Sequence, residues 1–175
     1  MSRDSFPVPD LNRVAQLAKH NPRVTVHLPT GRGEMIVCPT AEANGGLYIN
    51  QAPSALLPND APSEILGQSV WEALLQFRSI PEPLNLRSSR KTDWPAYRAS
   101  GAKSVSQFEA TFVCVSVEAF PCTLRVEADV LATDAEGLFV GRYISNACEF
   151  EDLGELIRMV ARGRRLLAEH LFFHD

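Results

Sequence analysis

Long hydrophobic runs are missing from this 175-residue chain. Among the longest is residues 112–115, far short of the ~20 apolar residues a bilayer-spanning helix needs. Residues 1–9 hold an arginine, an aspartate and two prolines but no apolar core, which speaks against a signal peptide. A cytoplasmic protein is the expectation. Cysteine is scarce: Cys38, Cys114, Cys122 and Cys148 form no C-x-x-C pair, so reduced thiols acting as small hydrophobes are expected. Glycine-rich phosphate motifs are absent, as are H-E-x-x-H and the G-x-S-x-G elbow. Gly31-Arg32-Gly33 is a lone glycine pair in a turn, with no helix following to bind an anion. His170 and His174 are four apart, but no acid lies between them, and a solvated helix end explains them better than a metal. These absences remove the familiar catalytic devices, and no cofactor or metal is expected.

What is present is an ordinary globular composition, 45% apolar and 22% charged, at a length that suits one domain. The net charge of −4 is unevenly spread. Residues 127–155 hold Glu127, Asp129, Asp134, Glu136, Glu149, Glu151, Asp152 and Glu155 against the single base Arg142. Residues 78–103 lean basic through Arg78, Arg87, Arg90, Lys91, Arg98 and Lys103. So large an acidic segment argues against direct contact with nucleic acid and suits a basic partner; the competing reading is a solvated face.

Periodicity divides the chain into short elements. Asp10 caps a first helix that Asn21-Pro22 stops. Residues 23–28 alternate as a half-buried strand, residues 29–33 turn, and residues 35–38 return. A third strand covers 47–49, residues 51–63 read as a proline-bearing loop, and 63–77 as a helix burying Leu66, Val70, Ala73, Leu74 and Phe77. A long polar connection fills 78–93. Asp93 then caps a short helix with Pro95 in its first turn and Gly101 as its left-handed stop. Ser104 and Gln107 form a capping box for the next helix. Residues 111–117 are apolar on nearly both sides, Cys114 included, which predicts a central strand. Strands at 124–131 and 138–144 flank a turn at 134–137, and a helix over 151–170 closes the chain, with Arg158, Arg162, Arg165 and Glu169 facing out. Hairpins dominate, so the expected fold is α+β: one domain over 1–175 with a mostly antiparallel sheet of about six strands and helices packed on it.

A weak echo relates 45–78 to 136–170: a glycine-started strand leads through a loop to a helix opening with Leu-Gly, at Leu66-Gly67 and at Leu153-Gly154. It reads as a duplicated unit or as two instances of a common motif.

The most distinctive stretch runs from Trp94 to Glu118. Trp94-x-x-Tyr97-x-Ala99-Ser100-Gly101-x-Lys103-Ser104, then Phe108-Glu109 and the strand to Glu118, resembles the CdiI-type immunity proteins of bacterial contact-dependent growth inhibition. The two Leu-Gly helices are similar to that family as well. The resemblance implies a small cytosolic protein, without enzymatic activity, that binds the toxic C-terminal domain of a cognate CdiA effector, often a nuclease. Its partners are too diverse for binding residues to be carried over, and the shared block reads as scaffold. A nuclease is basic where it meets nucleic acid, so Asp129, Asp134, Glu136, Glu149, Glu151 and Asp152 are the expected toxin-binding residues. A small cytosolic enzyme and a non-catalytic adaptor are the alternatives.

Overall fold

Residues 112–119 carry valine at 113, 115 and 117, and in the computed structural model they form the strand on which the sheet is centred. The structure describes residues 21–43, 47–80, 94–130, 138–145 and 147–172. In chain order these hold β1 (Arg23–Pro29), β2 (Glu34–Ala43), β3 (Leu47–Asn50), β4 (Ala55–Pro58), α1 (Ser63–Leu74) and β5 (Arg78–Ile80). Then come α2 (Pro95–Ala99), α3 (Val105–Thr111), β6 (Phe112–Ala119), β7 (Thr123–Val130), β8 (Leu138–Ser145) and α4 (Phe150–Phe172). The main sheet order is β3-β2-β1-β6-β7-β8, antiparallel throughout. β4 and β5 also pair with β2, β5 in parallel. The α+β architecture is as expected, with eight strands instead of about six.

The two extra strands lie where the sequence reads as loop. β4 is four residues ending at Pro58, too short to show a period, and a proline at a strand end is tolerated on a sheet edge. β5 is three residues at the start of the polar connection. β2 also runs through Pro39, whose carbonyl accepts the Gln51 N–H at 2.8 Å. α1 stops at Leu74 and tightens through i→i−3 bonds from Gln76 and Phe77, so Phe77 leaves the helical stripe and packs on Tyr48, ring centroids 6.4 Å apart. Trp71 joins the buried stripe in its place. The first helix, the connection beyond residue 80 and the 134–137 turn lie outside the described residues, while α2 takes Trp94 rather than Asp93 as its N-cap, without a side-chain cap bond.

Alternation gives the sheet two different faces. Val24, Val26, Met35, Val37, Val113, Val115, Val117, Leu124 and Val126 point to one side, where α1 and α4 cover them with Leu66, Val70, Leu74, Leu153, Ile157 and Val160. The opposite side has a smaller cluster under α2 and α3, made of Ile36, Cys38, Ala96 and Phe108 with Tyr97 and Phe112 packed against it. Both short helices end as expected. Gly101 takes φ +69°, and Gln107 donates its backbone N–H to Ser104 Oγ while its side chain accepts from Lys103 N–H.

The Leu-Gly echo has a packing explanation. A Cβ on Gly67 of α1 would lie 1.9 Å from the carbonyl oxygen of Phe150, the first residue of α4. A Cβ on Gly154 of α4 would lie 1.9 Å from the carbonyl oxygen of Ser63, the first residue of α1. Each helix therefore offers its fifth residue, a glycine, to the first residue of the other. The close approach is reciprocal, and it requires both glycines whatever the ancestry of the two segments.

Candidate functional site

The expected acidic residues divide into separate places. Cys148 donates its N–H to Ser145 O at 3.1 Å, which turns the chain sharply from β8 into α4. Glu149, Glu151 and Asp152 follow, all exposed, with Glu151 and Asp152 in the first turn of α4, where the positive end of the helix dipole favours them. Their field is felt locally. Burial first, and then the Asp152 and Glu149 charges, push the Cys148 thiol up to about 11. Asp129 sits elsewhere, paired with Phe139 six residues before Ser145 on β8, about 20 Å along the β7–β8 ribbon. The structure thus groups three of the six and sets Asp129 apart from them. Asp134 and Glu136 lie outside the described residues.

A second surface is assembled by long-range pairing. The register places Arg23, Glu118, Arg125 and Tyr143 in one row across β1, β6, β7 and β8, on the sheet face that α1 and α4 do not cover. Thr25, Ser116, Glu127 and Gly141 form the next row. Arg125 Nη2 meets Glu118 Oε2 at 2.5 Å, and its Nε lies 3.4 Å from Glu127 Oε2 in an ion pair without hydrogen-bond geometry. Burial alone would lower the Arg125 guanidinium. The carboxylates of Glu118 and Glu127, with hydrogen bonds to Glu118 and Tyr143, more than offset that and hold it above its ordinary range. Arg23 donates to Ser116 Oγ at 2.8 Å and stands 3.8 Å from Glu127. Rings flank both cations: Arg23 lies 5.6 Å from the Tyr48 centroid and Arg125 lies 5.5 Å from that of Phe120. Tyr143, 67% exposed, stands at the edge of this network.

Sequence reasoning missed this network because its members lie up to about 100 positions apart. The only local signal was the Arg125-x-Glu127 alternation on the polar side of β7. Charged side chains locked by mutual pairs, beside exposed or half-exposed aromatics, form a rigid surface of the kind that interface anchors use.

Reactive groups are placed away from chemistry. His27 is 6% exposed, packs 5.2 Å from the Phe108 ring, and has no hydrogen-bond partner at Nε2 among the described residues; burial lowers it to about 4. Cys38 is pushed up to about 12, by burial first and by Cys114 second. Thiols raised in this way are poor nucleophiles. Cys114 corrects an expectation: it is exposed, because α2 and α3 cover only part of the outer face of β6. Arg158 is a further correction. Instead of facing out, it is half-buried and donates to the carbonyls of Asn59 and Ala61 at 2.9 and 2.5 Å. Among the described residues no group of three or more histidine, cysteine or carboxylate side chains is arranged to hold a metal ion. None of their helices is long and apolar enough to cross a membrane.

No protein-family model matches the chain, and no curated protein matches its sequence. Solved structures do share its fold. A protein of unknown function from Neisseria meningitidis superposes with a TM-score of 0.60 at 18% identity, over 81% of this chain and 94% of the other. A chain of the CdiA-CT/CdiI toxin and immunity complex from Yersinia pseudotuberculosis superposes with a TM-score of 0.54 at 13% identity, over 82% of this chain and 97% of the other. The chain is therefore similar in fold, along most of its length, to a component of a toxin–immunity complex.

Proposed function

We propose that this protein is an immunity protein that binds the C-terminal toxin domain of a cognate CdiA effector and neutralises it non-covalently, without catalysis of its own. The observation that carries this reading is the likeness in fold to a chain of a toxin and immunity complex over 82% of the chain. The resemblance of the Trp94–Glu118 block suggested the same class. In this reading the protein acts in the cytoplasm, takes no cofactor, and contacts neither nucleic acid nor membrane directly.

The partner surface in this proposal is acidic and the partner is a nuclease. Of the six acidic residues proposed for it, Glu149, Glu151 and Asp152 stand together at the start of α4, exposed and ahead of the rest of the helix. Such a patch would speed association with a basic nuclease by electrostatic steering. Co-expression with the C-terminal domain of a candidate cognate CdiA effector tests the class: growth rescue and a stable complex are expected, and failure of both would overturn the reading. Reversing Glu149, Glu151 and Asp152 to lysine tests the acidic face. Slower association at low salt is expected, and an unchanged on-rate would refute it.

A further inference from the structure

On the far side of the sheet from the ion-pair network, β1 and its following turn, the start of β6, the loop before α1 and the outer side of α4 enclose a cleft of about 210 Å³. Its polar lining is cationic. Arg158 and Arg162, one helical turn apart on α4, face it together with Thr30 and Asn59, over apolar walls that include Val113 and Ala161. Among the described residues no carboxylate lines it.

Two like charges meet here without a counter-charge between them. Arg158 is fixed by its two bonds to the Asn59 and Ala61 carbonyls, which occupy two of the five N–H donors of a guanidinium and leave three. Arg162 is exposed, and no hydrogen bond or ion pair ties it to a described residue. Burial first, and the neighbouring Arg162 charge second, hold the Arg158 guanidinium below its ordinary range, and exposed Asp60 only partly offsets them. Thr30 adds no donor, because its N–H and its hydroxyl are both committed to the Thr111 carbonyl. Asn59 gives one amide proton to Gly31 O and keeps another.

We propose that this cleft is a binding site for a phosphate-class oxyanion, bridged between the Arg158 and Arg162 guanidiniums. Guanidinium forks match phosphate oxygens two at a time, and a doubly charged anion balances both cations where a carboxylate would balance one. The attraction is stronger at Arg158, which is half-buried against the apolar walls, than at exposed Arg162. This inference is independent of the toxin partner and is tested without it.

The experiment is a titration of the isolated protein with sodium phosphate at pH 7.5, following the Arg158 and Arg162 Nε–H signals by NMR. Sodium chloride and sodium acetate at matched ionic strength run in parallel. A saturable shift at both arginines is expected for phosphate alone, half complete on the order of millimolar. Arg162→Gln, which leaves the structural bonds of Arg158 in place, should weaken it by about tenfold or more. A non-saturating response, an equal response to acetate, or unchanged phosphate binding in Arg162→Gln would each overturn the proposal. Should that variant fail to fold, the phosphate-against-acetate comparison on the parent protein decides alone.

Discussion

Replacing Gly67 with alanine sets two physical rules against each other. Helix propensity favours the change, because alanine in a helix interior is better than glycine by about 1 kcal/mol. Packing opposes it. The new Cβ would lie 1.9 Å from the Phe150 carbonyl oxygen, ~1.5 Å short of ordinary contact, and 2.7 Å from its carbonyl carbon. That neighbour is backbone in the first turn of α4 and cannot rotate away. Relief requires the two helices to separate, which loosens Leu66, Val70, Leu153 and Ile157, all essentially inaccessible to solvent. Overpacking on this scale costs ~3–5 kcal/mol before the propensity gain, leaving a net loss of ~2–4 kcal/mol. For a chain of this size that lowers Tm by roughly 5–15 °C. Gly154→Ala should behave alike, since its Cβ would meet Ser63 O at the same 1.9 Å. Gly31→Ala, with no atom within 4 Å of its Cβ, is the control and should change stability by less than about 0.5 kcal/mol. Urea unfolding followed by circular dichroism reads all three. A Gly67→Ala protein as stable as the parent, or more so, would refute the reciprocal crossing.

Other consequences are as direct. Arg125→Met strands the nearly buried Glu118 carboxylate, and with Arg125 itself about a third exposed the expected loss is ~1–3 kcal/mol. Adding Glu118→Gln should return part of that loss, and strict additivity of the two changes in a double-mutant cycle would contradict the pairing. His27 is held near 4 in the folded protein against 6.5 for an ordinary histidine, so unfolded chains take up a proton that the folded one refuses. Its contribution is fully present above pH 6.5 and is lost as pH falls towards 4, about 3 kcal/mol in all. His27→Leu should flatten the stability profile by that amount across the window, and parallel parent and variant curves would refute the assignment. Thiol alkylation of the folded protein at pH 8 should label exposed Cys114 and Cys122 first and spare Cys38, whose pKa near 12 keeps it protonated. Early labelling of Cys38 would contradict its burial.

Much of the fold was legible because local rules and tertiary packing agree. The β1–β2 hairpin, the Gly101 stop, the Ser104 capping box and the alternation of β7 all stand where residue types demand them. β4 and β5 were not legible, since three or four residues carry no period and their existence depends on the free edge of β2. Cys114 was misjudged for a related reason. An apolar pattern on both sides of a strand shows that it is central, but how far the short helices α2 and α3 reach across the outer face is a tertiary fact. The Leu-Gly echo was visible in the sequence, while its cause needed two helix starts brought together from about 85 residues apart. The site was harder still. Charge counting grouped six acids by their nearness in sequence, whereas Asp129 and the α4 residues stand at opposite ends of a strand pair. The Arg23–Glu118–Arg125–Glu127 network exists only through cross-strand register.

Binding of the proposed partner is tested most directly by calorimetric titration of this protein with the purified, catalytically inactivated C-terminal domain of a candidate cognate CdiA effector. A saturable isotherm with a Kd at or below about 100 nM and co-elution of the two chains are expected. Absence of binding heat together with separate elution at concentrations of about 50 μM would contradict the proposal.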